Sequence, residues 1–203
     1  MSAPVLLTPL RIEATAARLG VRGRTASRVE TAGMGPERAA RTAERLLRTL
    51  SPTDPVAVLG FAGGLDRTDR AGDLVVATEL ETLDGSLPPR QLDRPLAERV
   101  RERLSDVFSR VRLGGIVCSP ALLGKGEMVA VAARQGSTPL ACEMESAWLA
   151  PLAEGRPFVV VRALVDRPGR SLFGPWTVFA ATKAFRRLVA AAGLVSDVLE
   201  QSY

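Results

Sequence analysis

Four acidic residues stand where apolar runs of the chain give way to loops, and there is no histidine to share their work. Glu13 comes after the short apolar run 5–7, Glu143 and Glu145 after 140–142, and Asp166 closes the run FVVVRALV. Ligands of an α/β sheet gather outside the carboxyl ends of its strands, so these places are expected to converge. Asp166 is the best single candidate: most carboxylates are solvated surface groups, but so apolar a strand delivers this one from the interior. Lack of histidine excludes a Ser-His-Asp triad and a His-based zinc site. Near neutral pH, proton transfers would then fall to carboxylates.

Two glycine-rich segments need separate treatment. GFAGGLD (60–66) reads as a turn after a buried strand, where glycines let the backbone approach a ligand and expose N–H groups. It is not a dinucleotide-binding G-x-G-x-x-G, because Ala62 breaks the spacing, and LLGKGE is not a P-loop. Cys118 and Cys142 are too few for a disulfide framework and read as small buried hydrophobes.

The elements that would position these residues alternate between strand and helix. Strands are expected over 5–7, 27–31, 55–59, 73–79, 115–118, 140–142 and, most strongly, 158–165. Helices are expected over 12–19, 36–50, 96–111, 128–135 and about 176–200; Pro36 suits a first helical turn because its missing N–H had no partner there. Residues 85–95 read as loop. The alternation predicts an α/β sandwich with helices on both faces of a mixed sheet, in one domain spanning 1–203.

Apolar residues make up 46% and charged residues 24% of 203, the proportions of a soluble globular protein. No apolar run reaches the ~20 residues of a membrane span, and the N-terminus lacks the pattern of a signal peptide, so the expected location is cytoplasmic. The net charge is +5, almost all of it arginine, with Lys125 and Lys183 the only lysines. The arginines are mixed with glutamates and aromatics are only 4%, which argues against nucleic acid as a partner. A basic surface of this kind is also compatible with peripheral contact with anionic membranes.

LGFAGGLDRTDRAGDLVVA, CEMESAWLA and FVVVRALVD, in this order, resemble the nucleoside phosphorylase-I superfamily. Within it the chain is similar to methylthioadenosine/S-adenosylhomocysteine nucleosidases, and GMGPERAA and the short length resemble the hopanoid-associated phosphorylase branch. The likeness runs from about Val5 to Leu188. It implies a three-layer α/β/α fold around a mixed, partly barrel-like sheet, a homodimer, no cofactor and no metal. The substrate implied is a small-molecule or lipid-linked purine nucleoside, with adenosylhopane the first choice.

By the same resemblance, Asp166 protonates the purine at N7 and Glu13 activates water. Glu145 holds the ribose hydroxyls and Met144 packs against the sugar; Glu143 is either a solvated neighbour or a partner that orients the sugar. Phe61, Ala62 and Gly63 of the glycine segment line the substrate, Leu122 stands where related enzymes stack a phenylalanine on the purine, and Trp176 stands near the 5′ pocket. The chemistry is coherent. Departure of the base makes the ribose cation-like, a protonated acid receives the electron density flowing into the purine, and a carboxylate steadies the cation. A second carboxylate then deprotonates water on the opposite face, as in inverting glycosidases. Arg11, in TPLR, also resembles the phosphate-binding arginine of true phosphorylases, so phosphorolysis is the rival reading. Arg162, alone among apolar residues, either pairs with a site carboxylate or supports the fold.

Overall fold

The computed structural model describes residues 3–23, 27–121, 126–127, 130, 139–166 and 175–201. Within them the apolar runs become strands. β1 (Val5–Thr8) lies parallel between β2 (Arg28–Thr31) and β3 (Val56–Gly64). Then come β4 (Leu74–Thr82), β5 (Arg90–Gln91), β6 (Val111–Cys118), β7 (Ala141–Glu143) and β8 (Phe158–Asp166). The sheet order is β2-β1-β3-β7-β6-β4-β5, and β8 joins β3 in parallel and β4 antiparallel. That double pairing closes β3, β7, β6, β4 and β8 into a ring. The result is a mixed sheet forming a partial barrel with helices around it.

Helices cover both sides because each carries an apolar stripe at helical spacing. α1 (Arg11–Gly20), α3 (Arg94–Ser105) and α5 (Pro175–Gln201) pack on one side through Ala16, Ala17, Leu96, Val100, Ala184 and Leu188. α2 (Pro36–Thr49) and the one-turn α4 (Ser146–Leu149), continued by a 3₁₀ turn (Ala150–Ala153), cover the other through Ala39, Leu46 and Leu149. The small residues of α1 let it lie close to α5. A Cβ on Gly20 would collide with the Val189 carbonyl.

Three expectations are corrected. Residues 60–64 are not a turn but the second half of β3. Glycine inside a strand marks a bulge or a close approach, and both occur here. The β3–β8 register shifts between Ala62 and Gly63, a Cβ on Gly60 would collide with Arg162 Nη1, and one on Gly64 would strike Asp69 Oδ2. The expected helix 96–111 stops at Ser105, and Val111 already opens β6, which is longer than the 115–118 expected. Residues 85–95 hold β5 and the start of α3, which Asp93 caps by accepting the Leu96 N–H at 3.0 Å. The predicted helix 128–135 falls almost wholly outside the described residues. Leu122 and the side chain of Trp176 also lie outside them.

Candidate active site

A single charged residue in the most buried strand organises the site. Arg162 is fully buried in β8, where its neighbours Val159, Val160, Val161, Ala163 and Leu164 are buried too. Its Nη2 donates to Glu143 Oε2 and, at 2.8 Å, to Ser146 Oγ. Nε and Nη1 make no hydrogen bond among the described residues. Burial works against the guanidinium charge, but attraction from Glu143, Glu145 and Glu13 outweighs it and holds the cation firmly protonated. Taking an ion pair out of water costs several kcal/mol per ion, and apolar replacements are often neutral or stabilising. Stability is therefore a poor reason for an arginine here; the three carboxylates around it are a better one.

Glu13 reaches this centre from the first turn of α1. Its Oε2 accepts the Leu10 N–H at 2.7 Å, capping its own helix, and its Oε1 accepts the Phe61 N–H at 2.7 Å. Glycine at position 60 makes the approach feasible: a Cβ there would lie 2.9 Å from Glu13 Oε1 and overlap Arg162 Nη1. The carboxyl is 2% exposed as a residue. Burial pushes its pKa up to about 7, against the pull of Arg162 and the two N–H donors. A group titrating there is poised for base catalysis at neutral pH.

Glu143 and Glu145 flank the same cation but face different tasks. Glu143, last residue of β7, accepts from the Glu145 N–H at 3.0 Å, the Ser146 N–H at 2.9 Å, the Cys118 thiol at 2.6 Å and Arg162. Its carboxylate is spent on the protein, which makes it an anchor for the turn that carries Glu145. Glu145 accepts the Gly35 N–H at 2.8 Å. Gly35 has φ +89°, a conformation that favours glycine, and it stands at the amino end of α2, whose dipole suits a carboxylate. Burial and then Glu143 raise Glu145 to about 7, while Arg162 and Gly35 lower it. Glu13 and Glu145 thus share one cation and one repelling neighbour.

Asp166 ends β8 opposite Gly63, which on its other side pairs with Cys142 of β7. Burial, then Glu143, Asp166 and Glu145, push the Cys142 thiol up to about 12, so it stays a neutral apolar wall. Cys118 is also buried, and its pKa is raised well above normal by burial and by Glu143. The expectation that both cysteines are small buried hydrophobes holds for burial, but Cys118 also donates to Glu143 and accepts the Ala147 N–H at 3.2 Å. Phe61, Gly63 and Met144 are half-buried, and Ala62 is buried behind them. Arg11 is exposed on α1 and has no ion-pair partner among the described residues.

The site thus brings Glu13, Glu143 and Glu145 together around Arg162, with Asp166 across β3 from Cys142, the residue before Glu143. Sequence reasoning left open what Arg162 does and missed the contact of Gly35 with Glu145. The one signal for Arg162 was its isolation in an apolar run, since arginine is almost never fully buried without a partner. Among the described residues, no group of three or more His, Cys, Asp or Glu could hold a metal ion.

The raised pKa values have a consequence for stability. A carboxyl at about 7 when folded and 4.5 when unfolded keeps its proton in the native state over that range. Its contribution is present in full below the unfolded value and is lost as pH rises through about 7. The melting temperature of Glu13→Gln minus that of the parent should therefore grow more positive between pH 5 and pH 8. A difference that is flat with pH in thermal melts would show that Glu13 does not titrate there.

The chain thus combines a mixed partial barrel, three carboxylates around a buried arginine and an acid at the end of β8. The chain belongs to the phosphorylase superfamily, whose family model matches residues 15–200. It is 29% identical over 181 residues to the 5′-methylthioadenosine/S-adenosylhomocysteine nucleosidase of Glaesserella parasuis serovar 5, covering 78% of this chain and 76% of that one. The crystal structure of the Campylobacter jejuni 5′-methylthioadenosine/S-adenosyl homocysteine nucleosidase superposes with a TM-score of 0.80 at 18% identity, over 99% of this chain and all of that one. The Colwellia psychrerythraea enzyme of the same name, in complex with adenine, gives 0.77 at 24% identity, over 99% and 96% of the two chains.

Proposed function

We propose that this chain hydrolyses the N-glycosidic bond of a 5′-substituted adenine nucleoside. The observation that carries the reading is the position of Glu13, which accepts the N–H groups of Leu10 and Phe61 beside Arg162 Nη1. In a phosphorylase, backbone donors and an arginine would be kept for phosphate. Here a carboxylate already holds the Phe61 N–H, two more carboxylates stand around Arg162, and Arg11 is exposed on the helix. A phosphate dianion entering this group would meet repulsion, whereas water meets a donor and a base.

Asp166 donates a proton to purine N7 as the bond between N9 and C1′ breaks, and the bond electrons go to the base. Glu145 steadies the cation-like sugar and binds its hydroxyls. Glu13 takes a proton from water held by Arg162 Nη1, and the hydroxide adds to C1′. Neutral purine and free sugar leave, with the proton carried by Glu13 returned to Asp166 through solvent.

Adenine as the base is supported by the names of the relatives, which act on 5′-methylthioadenosine and S-adenosylhomocysteine. Both carry apolar or thioether groups at the 5′ position. The sequence likeness to the hopanoid-associated branch extends this to a much larger apolar group, adenosylhopane. Burying such a group would supply binding energy at ~25 cal/mol per Å² of apolar area. Catalytic efficiency on adenosine, methylthioadenosine and adenosylhopane separates the alternatives. The proposal expects adenine from the 5′-substituted compounds, with adenosylhopane best. If methylthioadenosine is clearly best, the lipid substrate is wrong and the nucleosidase reading stands; if none yields adenine, both fall.

A further inference from the structure

The charges of the helices are unevenly distributed. On α2 and α3 arginines alternate with acids and pair with them at helical spacing, as Arg41 does with Glu37 at 2.8 Å and Arg94 with Glu98 at 2.9 Å. Such pairs cancel one another's field. α1 and the first four turns of α5 differ. Between residues 11 and 20 the only acid is the buried Glu13, and between 175 and 190 there is none. Arg11, Arg18, Lys183 and Arg186 are all exposed there, and none has an ion-pair partner among the described residues.

The same surface exposes large apolar side chains. Phe179 is 72% exposed, Val178 69% and Ile12 55%, the highest values for large hydrophobics among the described residues apart from Val107, also at 55%. α1 and α5 return from the parallel strands β1 and β8 and pack against each other on one side of the sheet, so they run the same way. Gly20, at the end of α1, abuts Val189 of α5. Counting back along both helices brings Ile12 and Arg11 beside the first turns that carry Val178 and Phe179. Glu13 points inward from that end of α1, and Asp166 ends the strand that leads to α5. Ile12 and Arg11 at the start of α1, and Val178 and Phe179 at the start of α5, therefore lie at the end of these helices nearest the site, with Arg18, Lys183 and Arg186 further along them.

We propose that this face of α1 and α5 docks on an anionic lipid surface, with Phe179, Val178 and Ile12 entering the headgroup region and the four cations meeting lipid phosphates. The chemistry selects a bilayer over a nucleic acid: a phosphodiester chain would use the cations but leave exposed, non-planar Val178 and Ile12 against water, whereas an interface takes up both. Docking by this end of the helices would let a nucleoside with a membrane-embedded 5′ group reach Asp166 without leaving the bilayer. That purpose rests on the substrate reading above; the docking itself does not.

The test uses the full chain and phosphatidylcholine vesicles with and without phosphatidylglycerol, read by co-sedimentation. Each basic residue at an anionic surface is worth about a fivefold change in partitioning. The chain should bind the mixed vesicles and not the neutral ones, and added salt should release it. K183E/R186E should weaken binding more than tenfold, and V178S/F179S should also weaken it. Both variants should hydrolyse methylthioadenosine in vesicle-free buffer at the parent rate, which checks the site separately. Equal binding to both vesicle types, or unchanged binding by K183E/R186E, overturns the proposal. So does a face covered by a second copy, seen as a dimer that V178S/F179S dissociates, or by RNA, seen as retention that outlasts competition by the mixed vesicles.

Discussion

Replacing Asp166 by asparagine should lower purine release by ~10²–10⁴-fold in a protein that still folds, the usual worth of a general acid. Asparagine keeps the shape and can donate an N–H, but it has no proton to give to N7. The position tolerates the change. Asp166 is half-buried at the end of β8, where its backbone pairs with Gly63 whatever the side chain. Single-turnover rates separate the role from binding. If the loss lies in kcat with little change in KM, the acid acts in the transition state. Near-parental turnover in the folded variant would remove Asp166 from the mechanism.

Glu13→Gln is the second large effect. Glutamine can still accept one backbone N–H, but it cannot take a proton from water, so hydrolysis should fall by a comparable ~10²–10⁴-fold. The pH profile gives an independent view. Burial sets Glu13 at about 7 and Glu145 at about 7, so the parent kcat/KM should rise with pH through that region as the carboxylates lose their protons. Any residual activity of Glu13→Gln should lose the part of that limb that Glu13 contributes. A profile that is flat between pH 5 and pH 9 would count against both carboxylates.

How much of this was legible in the sequence depended on how local the cause was. β8 was plain because a fully buried strand must be apolar along its whole length, and Asp166 followed from it. The run 60–64 misled because glycines usually end strands. Here they clear space for Arg162 and Asp69, groups about 100 and 5 residues further along the chain, and only the fold brings the first of them near. The end of α3 was overrun because residues 106–111 keep helical periodicity, while pairing of Val111 with Leu74 draws that segment into the sheet. Glu13 and Glu145 could be picked out by position after a strand. What sets their pKa values, namely burial and the charge of Glu143 raising them against the pull of the single cation, is a property of the assembled barrel. The contact of Gly35 with Glu145 spans 110 residues and had no signal beyond GMG itself.

The central claim is that water activated by a carboxylate, not phosphate, attacks the sugar. It is tested most directly by the fate of the ribosyl group when an adenine nucleoside is turned over in phosphate-free buffer. Adenine and free sugar are expected in equal amounts, at a rate that added phosphate leaves unchanged. Adenine release that requires phosphate, with a sugar 1-phosphate as the product, would contradict it.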